Sequence, residues 1–403
     1  MRSPQSEHAC HYVHGRTGST RRELASLGPS KLDDMDVECR RALELVQPGA
    51  SAASIEDLAH NRWLTAGIWA VTSDGLRMVL KCLTPHRKPP ASAWDAHWTT
   101  RAEDQRRWNY WAREGLAYQH QLVKVYEPGG IVGPELLAAH YADDLIVLLL
   151  EHVEGLPGDQ WRTGDYATAS RSLGRAQGHL LSGKSLPSYS WLSKGFLRQY
   201  GSEKPVDWGL LDSDEAWHQP LVEHNFPPEL RQAAVWLHAA RHRLYEIVYA
   251  LPRVLSHLDF WTNNLILRPE GSIALLDWAF VGDGAIGEDV GNLIPDAAFD
   301  HFIDAEALPE LEAVVRDAYL DGLASGGWNG DPRLAELGLC ASAVKYDWLT
   351  PAMLSSASAP RQMRYGGTEE INADFRFRQR GIALLDNAER AQRAVTLAQE
   401  LAM

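Results

Sequence analysis

Cysteine is scarce. Cys10, Cys39, Cys82 and Cys340 lie far apart in 403 residues, with neither C-x-x-C nor Cys/His ligand spacing. That scatter argues against a zinc site or a disulfide framework and fits a reducing, cytoplasmic setting. No apolar run reaches about 18 residues, the length a membrane-crossing helix needs. The N-terminus has no apolar core of the secretory kind, so secretion is not expected. Basic residues are outnumbered, 39 Lys plus Arg against 53 Asp plus Glu, for a formal net charge of -14. This balance argues against nucleic acid or an anionic membrane as the main partner. No internal repeat stands out. What remains is an ordinary globular composition, 45% hydrophobic and 23% charged, with enough length for a large core split into two lobes.

The chemistry concentrates between Val254 and Val281. His257, Asp259 and Asn264 form H-x-D-x-x-x-x-N, and Asp277 follows 13 residues after Asn264, beyond a turn at Pro269–Gly271 and an apolar strand Ile273–Leu276. Two acids and an amide beside a short hairpin suit phosphoryl transfer, in which positioning and charge neutralisation supply most of the rate. Asp259 is the expected base, orienting or accepting the acceptor hydroxyl proton. Asn264 and Asp277 are the expected magnesium ligands, since that hard cation takes a few protein oxygens and keeps waters and phosphate oxygens. His257 is placed in the same set, with a role in holding the loop favoured over one as base. The bland alternative is that these groups merely decorate a hairpin.

Upstream, residues 1–34 show no apolar periodicity and read as a flexible extension, and a helix is expected after Met35, ended by Pro48 and Gly49. Alternating apolar runs from Arg62 to Leu83, broken at Ser73-Asp74-Gly75, predict a hairpin. Its second strand ends on Lys81, placed to bind the α- and β-phosphates of a nucleotide. The loop before it holds only Gly67, so no glycine-rich phosphate cover is expected there. Thr100-x-x-Glu103 reads as a capping box opening a helix to about Gln121. Glu114 is the expected partner of Lys81, with Glu103 on nearly the same face. Leu145–Leu150 reads as a buried strand running into a hinge, where the backbones of Glu151 and Val153 would meet an adenine. The rest reads as helical: Tyr166–Leu181, Glu229–Tyr249, then residues 289–323, 333–356 and 369–400. Gly282, Gly284 and Gly287 read as a tight loop.

HLDFWTNN (257–264), LLDWAFVG (275–282), GEDVGNL (287–293), Lys81 in VLKCL and WAREGLAY (111–118) together resemble the aminoglycoside phosphotransferase and choline-kinase-like family. The resemblance spans roughly residues 60–300. It implies an α+β, bilobal protein-kinase-like fold, with a small antiparallel-sheet lobe (35–150) and a larger helical lobe (151–403). It further implies ATP and Mg²⁺ in the cleft, and Asp289 anchoring the catalytic loop. Leu258 stands where that loop usually carries a small or basic residue.

The expected activity is ATP- and Mg-dependent transfer of the γ-phosphate to a hydroxyl of a small molecule, such as an aminoglycoside-like antibiotic or an amino or sugar metabolite. The alternatives are a Ser/Thr kinase acting on a peptide and a non-catalytic nucleotide-binding protein. Only 11 positions separate Asp277 from Glu288, too few for a long activation loop. Acid- and Trp-rich segments, namely Asp207, Trp208, Asp212, Asp214, Glu215 and Trp217, then Tyr346, Asp347 and Trp348, point to a cationic or polyhydroxylated acceptor.

Overall fold

The computed structural model describes residues 29–50, 52–58, 65–85, 90, 92–183, 186–358 and 370–403, with side chains from residue 37 onward. It is a mixed α+β protein, with an antiparallel sheet in the N-terminal region and a helical C-terminal part. Most of the expected N-terminal extension falls outside the described residues. The helix after it, α1 (Pro29–Val46), starts six residues before Met35.

The N-terminal sheet has strands β1 (Ser54–Asp57), β2 (Thr65–Ser73) and β3 (Leu76–Leu83). Helices α2 (Ala93–Thr99) and α3 (Arg113–Gln119) follow, then β4 (Leu136–Ala142) and β5 (Leu145–Glu151). The spatial order is β1-β2-β3-β5-β4, every pair antiparallel. The run LIVLLL lacks the apolar-polar alternation of a half-exposed strand because both faces of β5 are covered. Val147 and Leu149 face α1 beside Trp69, Val71, Met78 and Leu80. Ile146, Leu148 and Leu150 face the opposite way, onto the core holding Ile68, Val79 and Leu83. Lys81 pairs with Ile68 and Leu148 and so shares that second face, which looks toward the cleft.

The helix expected from Thr100 to Gln121 does not form as one piece. Thr100 ends α2, Arg101 takes a left-handed φ of 57°, and turns lead to the seven-residue α3. Buried side chains supply the hydrogen bonds a helix would have made. Asn109 Nδ2 donates to the carbonyls of Trp98 and Thr100, and the Arg113 guanidinium donates to those of Arg107, Trp108, Trp191 and Ala279. Local capping signals lose to this tertiary network.

The C-terminal part has α4 (Thr163–Gly183), α5 (Phe196–Ser202) and α6 (Leu230–Ala250). Next come strands β6 (Arg253–Ser256), β7 (Leu265–Leu267), β8 (Ile273–Leu275) and β9 (Gly282–Ala285). Helices α7 (Glu288–Phe299), α8 (Leu308–Ser325), α9 (Pro332–Ala341), α10 (Leu349–Ser356) and α11 (Ala373–Glu400) complete it. The helices expected at 289–323 and 333–356 are each broken, at residues 300–307 and 342–348, where short 3-10 helices, Ala305–Ala307 and Ser342–Tyr346, intervene. The Gly282–Gly287 segment is not a loop. Gly282 to Ala285 form a strand antiparallel to β6, and a Cβ on Gly282 would come 2.2 Å from the Ser193 carbonyl oxygen. This pairing, with the β7–β8 hairpin alongside, fixes both ends of the segment between Ser256 and Leu265.

Candidate active site

Three strand ends and one helix start converge on the cleft. Lys81 Nζ, near the end of β3, lies 2.5 Å from Glu114 Oε2 in the first turn of α3. It also lies 3.2 Å from Asp277 Oδ1, just past β8. Lys81 and Glu114 are almost wholly buried, so neither charge could be held there without the other. Burial pushes the Glu114 carboxyl above its ordinary range, with the Lys81 ammonium the strongest opposing influence. Glu103 is exposed, and the structure selects Glu114 as the partner of Lys81.

Across the cleft, Asn264 Nδ2 donates to the Asp259 backbone oxygen at 3.0 Å and to Asp259 Oδ2 at 2.9 Å. The five-residue step of the motif is thereby a direct bond. Burial raises the Asp259 carboxyl to about 7, with Lys345 pulling the other way. Leu258 and Asp277 both hold left-handed backbone, φ 65° and 57°. A non-glycine residue there costs roughly 1–3 kcal/mol and persists only where its surroundings impose it. Asp289, in the first turn of α7, does so at Leu258. Its carboxylate accepts from the backbone N–H groups of His257 (3.1 Å) and Leu258 (2.8 Å). Gln177 on α4 donates to Asp289, Tyr319 on α8 donates to Gln177, and the Gly287 amide donates to Tyr319.

The remaining expected residues stand apart. His257 is fully buried with its ring edge-on to Trp278, and burial drives it to about 4 against the pull of Asp277 and nearby backbone. It is a neutral packing group behind the loop and is absent from the cleft lining. Glu151 and Val153 do not line the cleft either. The Glu151 amide donates to the Glu135 carbonyl, and its carboxylate holds Arg268 with contacts of 2.7 and 2.9 Å. Of the backbone groups expected to meet an adenine at Glu151 and Val153, the Glu151 amide is thus already engaged.

Among the described residues no group of three or more His, Cys, Asp or Glu side chains could hold a metal. Asn264 and Asp277 nevertheless fit magnesium. The Asn264 amide nitrogen is committed to Asp259, leaving its oxygen as the acceptor, and Asp277 lines the cleft partly exposed. Two protein oxygens are what a magnesium ion carrying waters and phosphate asks for.

The cleft encloses about 740 Å³. One end is lined by Ile68, Lys81, Glu114 and Asp277, and the other by residues that motif reading passed over: Trp98 of α2, Tyr200 of α5, Phe280, Asp296 of α7, Asp300 just after it, Lys345 and Arg380. Tyr346 and Trp348, singled out in the sequence, also line it. The acidic connector does not. Asp207 caps the Gly209 amide, Asp214 pairs with Arg231, and Trp217 is buried. Asp347 is buried against His238. A buried lysine directly before a Tyr-Asp-Trp triplet was the one available signal for the missed set, and it is visible only once the surrounding rings are assembled.

The family model described as "Phosphotransferase enzyme family" matches residues 68–337, from β2 through α9. The chain belongs to that family. No curated protein sequence matches it. Solved structures similar in fold include the aminoglycoside phosphotransferase of Streptomyces rimosus in complex with ADP and streptomycin. That match has 19% identity and a TM-score of 0.43, covering 76% of this chain and 98% of that one. A spectinomycin phosphotransferase in complex with ADP and spectinomycin is 11% identical with a TM-score of 0.49, over 88% of this chain and 98% of that one. The choline kinase of Streptococcus pneumoniae is 13% identical with a TM-score of 0.43, over 91% and 99%. In this phosphotransferase-family chain, Lys81, Glu114, Asp259, Asn264 and Asp277 lie together on the cleft wall.

Proposed function

We propose that this phosphotransferase moves the γ-phosphate of ATP to a hydroxyl of a small molecule, with Mg²⁺ as cofactor. One observation carries the reading. Lys81 reaches Glu114 and Asp277 at once, bonding across 196 positions of sequence, while Asp259 and Asn264 face them across the same cleft. Lys81, oriented by Glu114, would bind phosphate oxygens. Asn264 and Asp277 would hold Mg²⁺, which supplies charge neutralisation on the phosphates. Asp259 would orient the acceptor hydroxyl for in-line attack and take its proton as the O–P bond forms. Asp289 and Gln177 would keep the loop in the geometry that aims Asp259. The division into a nucleotide lobe and a catalytic lobe falls at about Glu151, where β5 ends.

A small acceptor is favoured over a peptide because β9 occupies the interval between Asp277 and α7, the place an activation segment would need. The test is ADP release and ³¹P NMR on the purified chain with Mg–ATP, against aminoglycosides, amino alcohols, neutral alcohols and Ser/Thr peptides. Transfer to small alcohols is the expected outcome. Transfer to peptides only, or nucleotide binding with no acceptor-dependent turnover across the panel, would sink the proposal.

A further inference from the structure

Beyond Asp259 the cleft has an aromatic wall with no net charge. Its rings are Trp98, Tyr200, Phe280, Phe299, Tyr346 and Trp348. Two acids stand among them, and each is already matched. Asp296 Oδ2 accepts from Tyr346 Oη at 2.6 Å and lies 3.9 Å from Lys345 Nζ. Asp300 Oδ1 lies 3.7 Å from the Arg380 guanidinium. Burial raises both carboxyls, Asp300 to about 6, with Lys345 and Arg380 respectively the strongest opposing groups. A cationic ligand entering here would meet two ammonium or guanidinium groups as well as two acids, and an anionic one the reverse. The net attraction for either sign is small, while desolvating the ligand's charge keeps its full cost.

A second observation points the same way. Trp94, Trp98, Tyr200 and Trp348 form a box of the kind that receives ammonium ligands. The box already holds an amine, Lys204 Nζ, at 5.6, 5.3, 3.6 and 4.4 Å from those ring centroids, and burial together with Lys345 lowers it to about 6. Lys204 is buried and is not part of the cleft lining, so it fills the box from behind. Among the described residues no carboxylate forms an ion pair with it. The rings thus turn their π-faces partly to the chain's own lysine and present flat apolar surface to the cleft.

We propose that the acceptor of the reaction inferred above is an uncharged alcohol with a flat aromatic or apolar face, held by ring stacking against Trp98 and Trp348, and not a polycation or a quaternary ammonium alcohol. This deepens the phosphotransferase reading and rests on it. It departs from the cationic acceptor suggested by the acidic connector, which lies outside the cleft.

The test measures binding apart from turnover. Tryptophan fluorescence and calorimetry on the full chain with ADP would compare 2-naphthaleneethanol, choline and streptomycin. The neutral aromatic alcohol should bind at least tenfold more tightly than choline, and Trp348→Ala should weaken it about tenfold. Trp348→Leu serves if the alanine variant folds poorly. Arg380→Met, which frees the Asp300 charge, should shift preference toward streptomycin. Tighter binding of choline or streptomycin by the unaltered protein would overturn the proposal. So would unchanged naphthaleneethanol binding in both Trp348 variants. A fluorescent ADP titration in parallel reports on the phosphotransferase reading alone, so failure there is distinguishable from failure here.

Discussion

Single side chains divide here into those that touch the cleft and those that hold others in place. Asp259 is the sharpest case, lining the cleft with its carboxylate bonded to Asn264. Asp259→Ala should cut turnover by several orders of magnitude and leave fluorescent-ADP affinity nearly intact. Near-normal turnover would remove this loop from the mechanism. Glu288 makes a different kind of test, through linkage. Burial raises its carboxyl from 4.5 to about 7, with the Ala285 amide donating to Oε2 at 2.8 Å. The folded state therefore binds the proton more tightly than the unfolded one, and stability falls as pH rises from about 4.5 through 7. A Glu288→Gln chain can still accept from Ala285 and never charges. Its melting temperature relative to the unaltered protein should be higher at pH 8 than at pH 5. An advantage that does not change with pH would mean Glu288 ionises normally. Residue-level reading of the sequence could expect Lys81, Asp259, Asn264 and Asp277 at one cleft because each lies in or close to a short strand. It could not separate Glu114 from Glu103, since one helical face was assumed for both and no such helix exists.

Elements show why some of the sequence was legible and some was not. The strand at Leu145–Glu151 was readable because it is buried on both faces, and the β7–β8 hairpin because Pro269–Gly271 marks its turn. The stretch from Thr100 to Ala112 was not readable. Its turns are set by Asn109 and Arg113 bonding to carbonyls up to 166 positions away. Helix α1 offers the test at this scale. Among its described side chains Cys39, Ala42 and Leu43 are buried, and they cover Trp69, Val71, Met78 and Leu80. A chain beginning at Met35 should keep its melting temperature within a few degrees and retain nucleotide binding. One beginning after Val46 would expose that apolar sheet face and should melt well below it or aggregate. Equal stability of the two would mean α1 contributes nothing to the sheet.

At the scale of the whole molecule, the N-terminal sheet and the C-terminal helical part meet at the cleft through the Lys81–Asp277 contact. A nucleotide bound there would be gripped from both sides, by Lys81 from the sheet and by Asp277 and Asn264 from the catalytic segments. On the proposed function the magnesium ion would belong to one side only, that of Asn264 and Asp277. Ligand bound to the folded state alone stabilises it by RT ln(1 + [L]/Kd), about 2.7 kcal/mol at a hundredfold excess over Kd. ATP with Mg²⁺ should therefore raise the melting temperature by several degrees, and ATP with EDTA by much less. Asp277→Ala should remove most of the magnesium-dependent part. It also leaves the Lys81–Glu114 pair in place, so the metal-free response to ATP should persist. Lys81→Met should behave in the opposite sense, weakening the response with and without metal, because on the proposed function its contact would be with phosphate itself. If Asp277→Ala and Lys81→Met lost both responses to the same degree, the separate assignment of metal and phosphate to these two residues would be wrong.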